Sequence, residues 1–109
     1  MSEDQTGRFR VALDLDGVTD KAGLMDRAAR ALELPDWFGR NWDALADSLS
    51  DLSVWPEEAK DRGLLVVVQD WQGYAEARPQ EWETAQEVFR HAMDMTPALA
   101  VTLALGASS

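Results

Sequence analysis

Six residues in mid-chain, Leu64 to Gln69 (LLVVVQ), restrict the possible folds more than any other stretch. Valine is stiff at χ1 and sits well on a pleated surface, so a run of three valines favours a strand over a helix. The run is continuously apolar rather than alternating, the pattern of a strand buried on both faces of a sheet, as in parallel sheets. Parallel neighbours are joined by crossovers of a dozen or more residues, usually helical. The chain on either side should therefore supply helices and two further strands, with Leu64 to Gln69 in the middle.

It does. Phe9 to Leu15 alternates apolar with other residues and reads as a strand, ended by the turn dipeptide Asp16-Gly17. From about Asp20, the residues Leu24, Met25, Ala28, Ala31 and Leu32 recur at helical spacing, and Pro35 stops that helix near Leu34. The segment PDWFGRN is a loop with a pair of aromatics, and Asn41 is a good N-cap for a helix from Trp42 to about Leu52. Pro56 and Gly63 bracket one short helical turn. After the central strand, QGYAEAR reads as loop. Pro79 then opens a helix with the apolar stripe Trp82, Ala85, Phe89, Ala92 and Met93, Pro97 breaks it, and Ala98 to Leu105 is a third strand. The expectation is α/β: a three-stranded parallel sheet packed with about four helices, built through right-handed crossovers. At 109 residues this is one domain over residues 1–109, with about residues 1–7 a fraying tail.

Absences narrow the setting. Without cysteine there is neither a disulfide framework nor thiol chemistry. Nothing resembles an export signal, and no apolar run approaches the roughly 20 residues that cross a bilayer, so a cytoplasmic location is expected. No cofactor and no metal are expected. The formal charge of −10 repels nucleic acid and anionic membranes and favours encounter with a basic partner.

One motif argues for an enzyme. An apolar run ending in Asp-Leu-Asp-Gly is how haloacid-dehalogenase-type phosphatases present a nucleophile, here Asp14, with Asp16 as general acid. That chemistry also requires a cation for the phosphoryl group and a second acidic loop for magnesium. Asp70, alone after the central strand, does not supply such a loop, and the chain is too short for a cap domain. Asp16-Gly17 is better explained as a turn.

Charge placement is more informative. On a helical wheel Trp42, Leu45, Leu49 and Leu52 fall on one side, and Asp43, Asp47 and Asp51 on the other. Like charges four residues apart cost a helix a few tenths of a kcal/mol per pair. By itself a row of this kind reads as a solvated face, and Arg40 partly offsets it. Trp37 and Phe38, in the loop beside the row, add the aromatic-next-to-charge composition of binding hot spots.

Leu32 to Leu52, LELPDWFGRNWDALADSLSDL, resembles the signature of the barstar family, intracellular inhibitors of small secreted bacterial ribonucleases. The shared features are Leu-Pro, an acidic residue, two aromatics and Gly, then Asn, a large apolar residue, Asp-Ala-Leu and Asp-x-Leu. The Asp16-Gly17 turn and the segment Val88 to Arg90 (VFR) extend the likeness over nearly the whole chain. The resemblance implies a barstar-like fold and a non-enzymatic inhibitor, monomeric when free, that binds one guanyl-specific ribonuclease without contacting nucleic acid or membrane and so protects the producing cell. It implies binding through Trp37, Phe38, Gly39, Asn41, Asp43, Ala46, Asp47, Asp51 and His91, with Asp47 as the central carboxylate. Three positions depart from the pattern: Ala46 stands where an aromatic is usual, Arg40 replaces an acidic or neutral residue, and His91 replaces a carboxylate. These departures bear on which nuclease is cognate, and a barstar-type immunity protein against a different toxin nuclease is the alternative.

Overall fold

Leu64–Gln69 forms the middle strand, β2, of the sheet. The computed structural model describes residues 7–34, 39 and 41–104. In chain order these make β1 (Phe9–Asp14), α1 (Lys21–Leu32), α2 (Trp42–Ser50), a 3-10 turn (Leu52–Val54), α3 (Glu57–Arg62), β2, α4 (Gln72–Ala77), α5 (Pro79–Met95) and β3 (Leu99–Leu103). The sheet order is β1-β2-β3 and both pairs are parallel, with Val11 opposite Val66 and Val66 opposite Val101.

Strand order dictates where the helices go. Two right-handed crossovers that step in the same direction put every helix on one face of the sheet. Val11, Leu13, Val66, Val68 and Leu99 accordingly point into one core with Leu24, Met25, Phe89 and Ala92 of α1 and α5. Val67, whose side chain points the opposite way, is also buried, yet it lies outside that core cluster, and Leu65 beside it is only half-buried. The expected burial of the central strand on both faces is therefore met in full on the helix face and only in part on the other.

Local signals account for the element ends. The Asp20 carboxylate accepts the Gly23 N–H at 2.9 Å and caps α1. At the other end Glu33 takes a left-handed backbone, φ 54°, and the Leu34 N–H reaches back to the Ala29 carbonyl at 2.9 Å. This is a Schellman ending, in which glycine is the usual residue. Glu33→Gly is expected to stabilise the protein by about 0.5–1 kcal/mol in urea unfolding, since a side chain in that conformation is strained. An unchanged or lowered midpoint would show that the Glu33 side chain compensates for its backbone.

Two expectations need correction. The segment Gln72 to Ala77 is helix α4 rather than loop, which brings the α-helices among the described residues to five. Tyr74 anchors it: the ring is fully buried and its hydroxyl donates to Glu81 Oε1 at 3.0 Å. Burial, reinforced by that carboxylate, pushes the phenol well above its usual pKa. Second, α2 stops at Ser50, short of Leu52, which is exposed (39 %) in the 3-10 turn instead of lying on the apolar face. Trp42, on the apolar side of α2, is half-buried and packs against the core, as its place on that side implies.

Two tryptophans at element ends, Trp55 and Trp71, are structural. Trp71 stacks on Trp82 at 5.2 Å between centroids and donates its indole N–H to the Ala104 carbonyl at 2.8 Å. Trp55 is buried and donates to the Ser48 carbonyl at 3.2 Å.

Candidate protein-binding site

α2 begins where its sequence says it should. The Asn41 side-chain oxygen accepts the Ala44 N–H at 2.7 Å, and its amide nitrogen donates to the Gly39 carbonyl at 3.4 Å. A Cβ on Gly39 would lie 3.3 Å from that amide nitrogen and 3.4 Å from the Ala44 Cβ. Gly39 and Asn41 thus hold the chain close as it enters the helix. The inner side of α2 buries Leu45, Ser48 and Leu49, and the helix packs on α5.

The outer side carries Asp43 and Asp47, one turn apart and both exposed. Neither has a hydrogen-bonding or ionic partner through its side chain among the described residues. Asp43 lies in the first turn, where the helix dipole favours an anion, while Asp47 is beyond that help. Ala46 is half-buried. His91 is exposed on α5, the helix that supports α2. Trp37, Phe38 and Arg40 lie outside the described residues.

Asp51 does not continue the acidic row. It has left the helix for an extended backbone, and its carboxylate accepts the Ser53 hydroxyl at 2.6 Å and the Ser53 N–H at 2.9 Å, capping the 3-10 turn. These two bonds, the hydroxyl first, hold its carboxyl below the ordinary value. A depressed folded-state pKa means that the charged form contributes stability above the unfolded pKa, lost as pH falls through the folded one. Asp51→Ala is therefore expected to lower the urea midpoint at neutral pH and to converge with the parent on acidification. A midpoint difference that persists in strong acid would show that the capping carboxylate is not its source.

The aspartates of the enzyme-like motif have structural work. Asp14 Oδ1 accepts the Asp16 N–H at 3.0 Å, and the Arg27 guanidinium bonds the carbonyls of Asp14 and Asp16 at 2.8 and 2.9 Å, tying the turn to α1. Among the described residues no three His, Cys, Asp or Glu side chains converge on a metal position, and no helix is long and apolar enough to cross a membrane.

Fold and surface together describe a small α/β domain that displays two carboxylates, without side-chain partners among the described residues, on one face of a helix. The chain belongs to the barstar (barnase inhibitor) family, whose model matches residues 8–105. The family is one of inhibitors rather than enzymes, which removes the phosphatase reading of Asp14 and Asp16. No curated protein matches the chain significantly. Sequence reasoning missed the capping role of Asp51. The Asp-x-Ser spacing of Asp51 and Ser53 was its available signal, since an Asp side chain commonly bonds the backbone two residues on.

Proposed function

We propose that this protein inhibits a small secreted guanyl-specific ribonuclease of the barnase type by seating α2 and the loop before it in the enzyme's active site. The supporting observation is the exposed pair Asp43 and Asp47 on one face of α2, without counter-ions among the described residues, in a chain of this family. An RNA-cleaving site is built to hold a phosphate, and a carboxylate on a rigid helix offers an anion already oriented. Asp47 takes the place of the phosphate, Asp43 pairs with a basic residue nearby, and Trp37 and Phe38 pack at the rim. Gly39 and Asn41 set the entry of the loop into the helix, Ala46 and His91 shape the edge of the contact, and Asp51 fixes its far end. The partner is met in the cytoplasm, one inhibitor to one enzyme, before it can damage the cell's RNA.

A net charge of −10 against a basic nuclease steers association, so binding should be fast at low salt and slower as salt screens it. The test is residual RNA cleavage by a purified barnase-type ribonuclease titrated with this protein at low and moderate salt. Stoichiometric inhibition that weakens with salt supports the proposal. Full cleavage at equimolar inhibitor removes this enzyme as the partner and turns the search to a different toxin nuclease.

A further inference from the structure

The edge of β1 lies apart from α2 and has no neighbour in the sheet among the described residues. Among the described residues β1 pairs only with β2, beginning with Phe9 N–H to the Gly63 carbonyl and ending with Leu15 N–H to the Gln69 carbonyl, each 2.9 Å. Bonding residues alternate along a parallel ladder, so the odd-numbered residues face β2, and the backbone groups of Arg10, Ala12 and Asp14 point out of the sheet. Of these groups only the Asp14 carbonyl is engaged among the described residues, by Arg27, and a carbonyl oxygen has a second lone pair. The side chains of the same three residues are exposed. An edge without proline, lysine or bulge is a template for another strand.

The charges along this edge are arranged in opposite senses at its two ends. Beside Phe9 to Ala12 runs a groove of about 590 Å³ whose rim carries Glu33, Glu57 and Glu58. Beside Ala12 and Asp14 the rim is Arg27 and Arg30. Glu57 is shared with Lys60 at 3.0 Å and Arg30 loosely with Asp26 at 3.9 Å, while Glu33 and Glu58 have no ionic partner among the described residues. On the strand itself the order is reversed, with basic Arg10 near the start and acidic Asp14 at the end.

We infer that this edge pairs with the β1 edge of a second copy of the chain, antiparallel and centred on Ala12, to form one continuous sheet about a two-fold axis. That register uses the outward backbone groups in phase: Ala12 exchanges hydrogen bonds with Ala12, and Arg10 with Asp14, in both directions. It also sets Arg10 directly opposite Asp14 of the other copy, and the acidic rim of each copy against Arg27 and Arg30 of its mate. Opposite charges in a cross-strand pair stabilise the pairing. Self-complementarity of this kind is what a two-fold interface requires, and it selects a second copy over an unrelated extended peptide. The α2 surface stays free, because α2 packs on α5 and α5 lies over β3, the other edge.

The pairing is weak, and at low micromolar concentrations and below the free protein stays monomeric. One short strand is small beside the roughly 1,200–2,000 Å² of stable complexes, and the −10 charges of the two copies repel, so a dissociation constant between about 10 μM and 1 mM is expected. Sedimentation equilibrium at about 0.15 M salt, where the Debye length is about 8 Å, should show the weight-average mass climbing from 12.1 kDa towards twice that value as concentration approaches about 1 mM. Arg10→Asp and Asp14→Arg should each stay monomeric, since each puts like charges opposite one another. Their equimolar mixture should associate again, because the mixed pair restores both Arg–Asp contacts. Ala12→Pro, which removes the central donor at a position an edge strand tolerates, should also be monomeric. A constant 12.1 kDa up to about 1 mM, or association that survives in Arg10→Asp and Ala12→Pro, overturns the inference. Neither result bears on ribonuclease inhibition, which is read in a separate assay.

Discussion

Replacing Asp47 by alanine is expected to collapse ribonuclease inhibition while leaving the free protein no less stable. The binding loss should be several kcal/mol, within the hot-spot range of about 2 to 8 kcal/mol, the upper end of which belongs to a member of this same family and is borrowed from it. A loss at the lower end of that range raises the dissociation constant about 30-fold, and one of about 4 kcal/mol raises it about 10³-fold. On the proposed mode of binding, much of that loss is the penalty of leaving the enzyme's cationic groups without the anion that neutralises them. Stability is expected to hold for a local reason. Asp47 is exposed, one turn from Asp43, and without a side-chain partner among the described residues. Removing it relieves a repulsion and substitutes the best helix former. Two measurements are needed, inhibition titration and urea unfolding. Full inhibition by the variant would remove Asp47 from the interface, and a stability loss above roughly 1 kcal/mol would assign it a structural role instead.

Trp82→Ala should have the opposite profile. Trp82 is buried, stacked against Trp71 with planes 6° apart, and met edge-on by Tyr74 at 6.1 Å between centroids. It joins α5 to α4 and to the Trp71 indole, which is itself bonded to the end of β3. Removing a large aromatic from such a site costs about 3–5 kcal/mol in lost transfer energy and residual cavity. A domain of this size has about 5–15 kcal/mol in all, so the variant should melt at a much lower temperature and populate unfolded chain in mild urea. Under native conditions the folded fraction should still inhibit, since no part of α2 is altered. A stability change below about 1 kcal/mol would mean that the aromatic stack is not part of the cooperative core.

The contrast between these two residues follows what the sequence could and could not show. Trp82 was legible as core because its stripe repeats at helical spacing over a long helix, and the buried face of a helix is set by periodicity alone. The central strand was legible because a run of valines between a glycine and a polar residue has few other uses. Asp43 and Asp47 were legible as one face of one helix. Asp51 was not separable from them, because a wheel assumes that the helix continues. Where α2 stops depends on the Ser53 bonds and on Trp55 reaching back to the Ser48 carbonyl. α4 was missed for a related reason: six residues carry too few turns for a periodic signal, and its helical state rests on burial of Tyr74 and the bond to Glu81.

By itself, then, the sequence determined the α/β class, the parallel order of the elements and the family, because apolar period, turn residues and a long local motif are written within short stretches of chain. Tertiary structure alone decided which face of the sheet the helices cover, where α2 ends, and that Asp14 and Asp16 close a turn held by Arg27. It also left the β1 edge unpaired among the described residues, with its charges in reversed order at the two ends. Each of these depends on groups far apart in the chain meeting in space, and sequence spacing carries no record of such meetings.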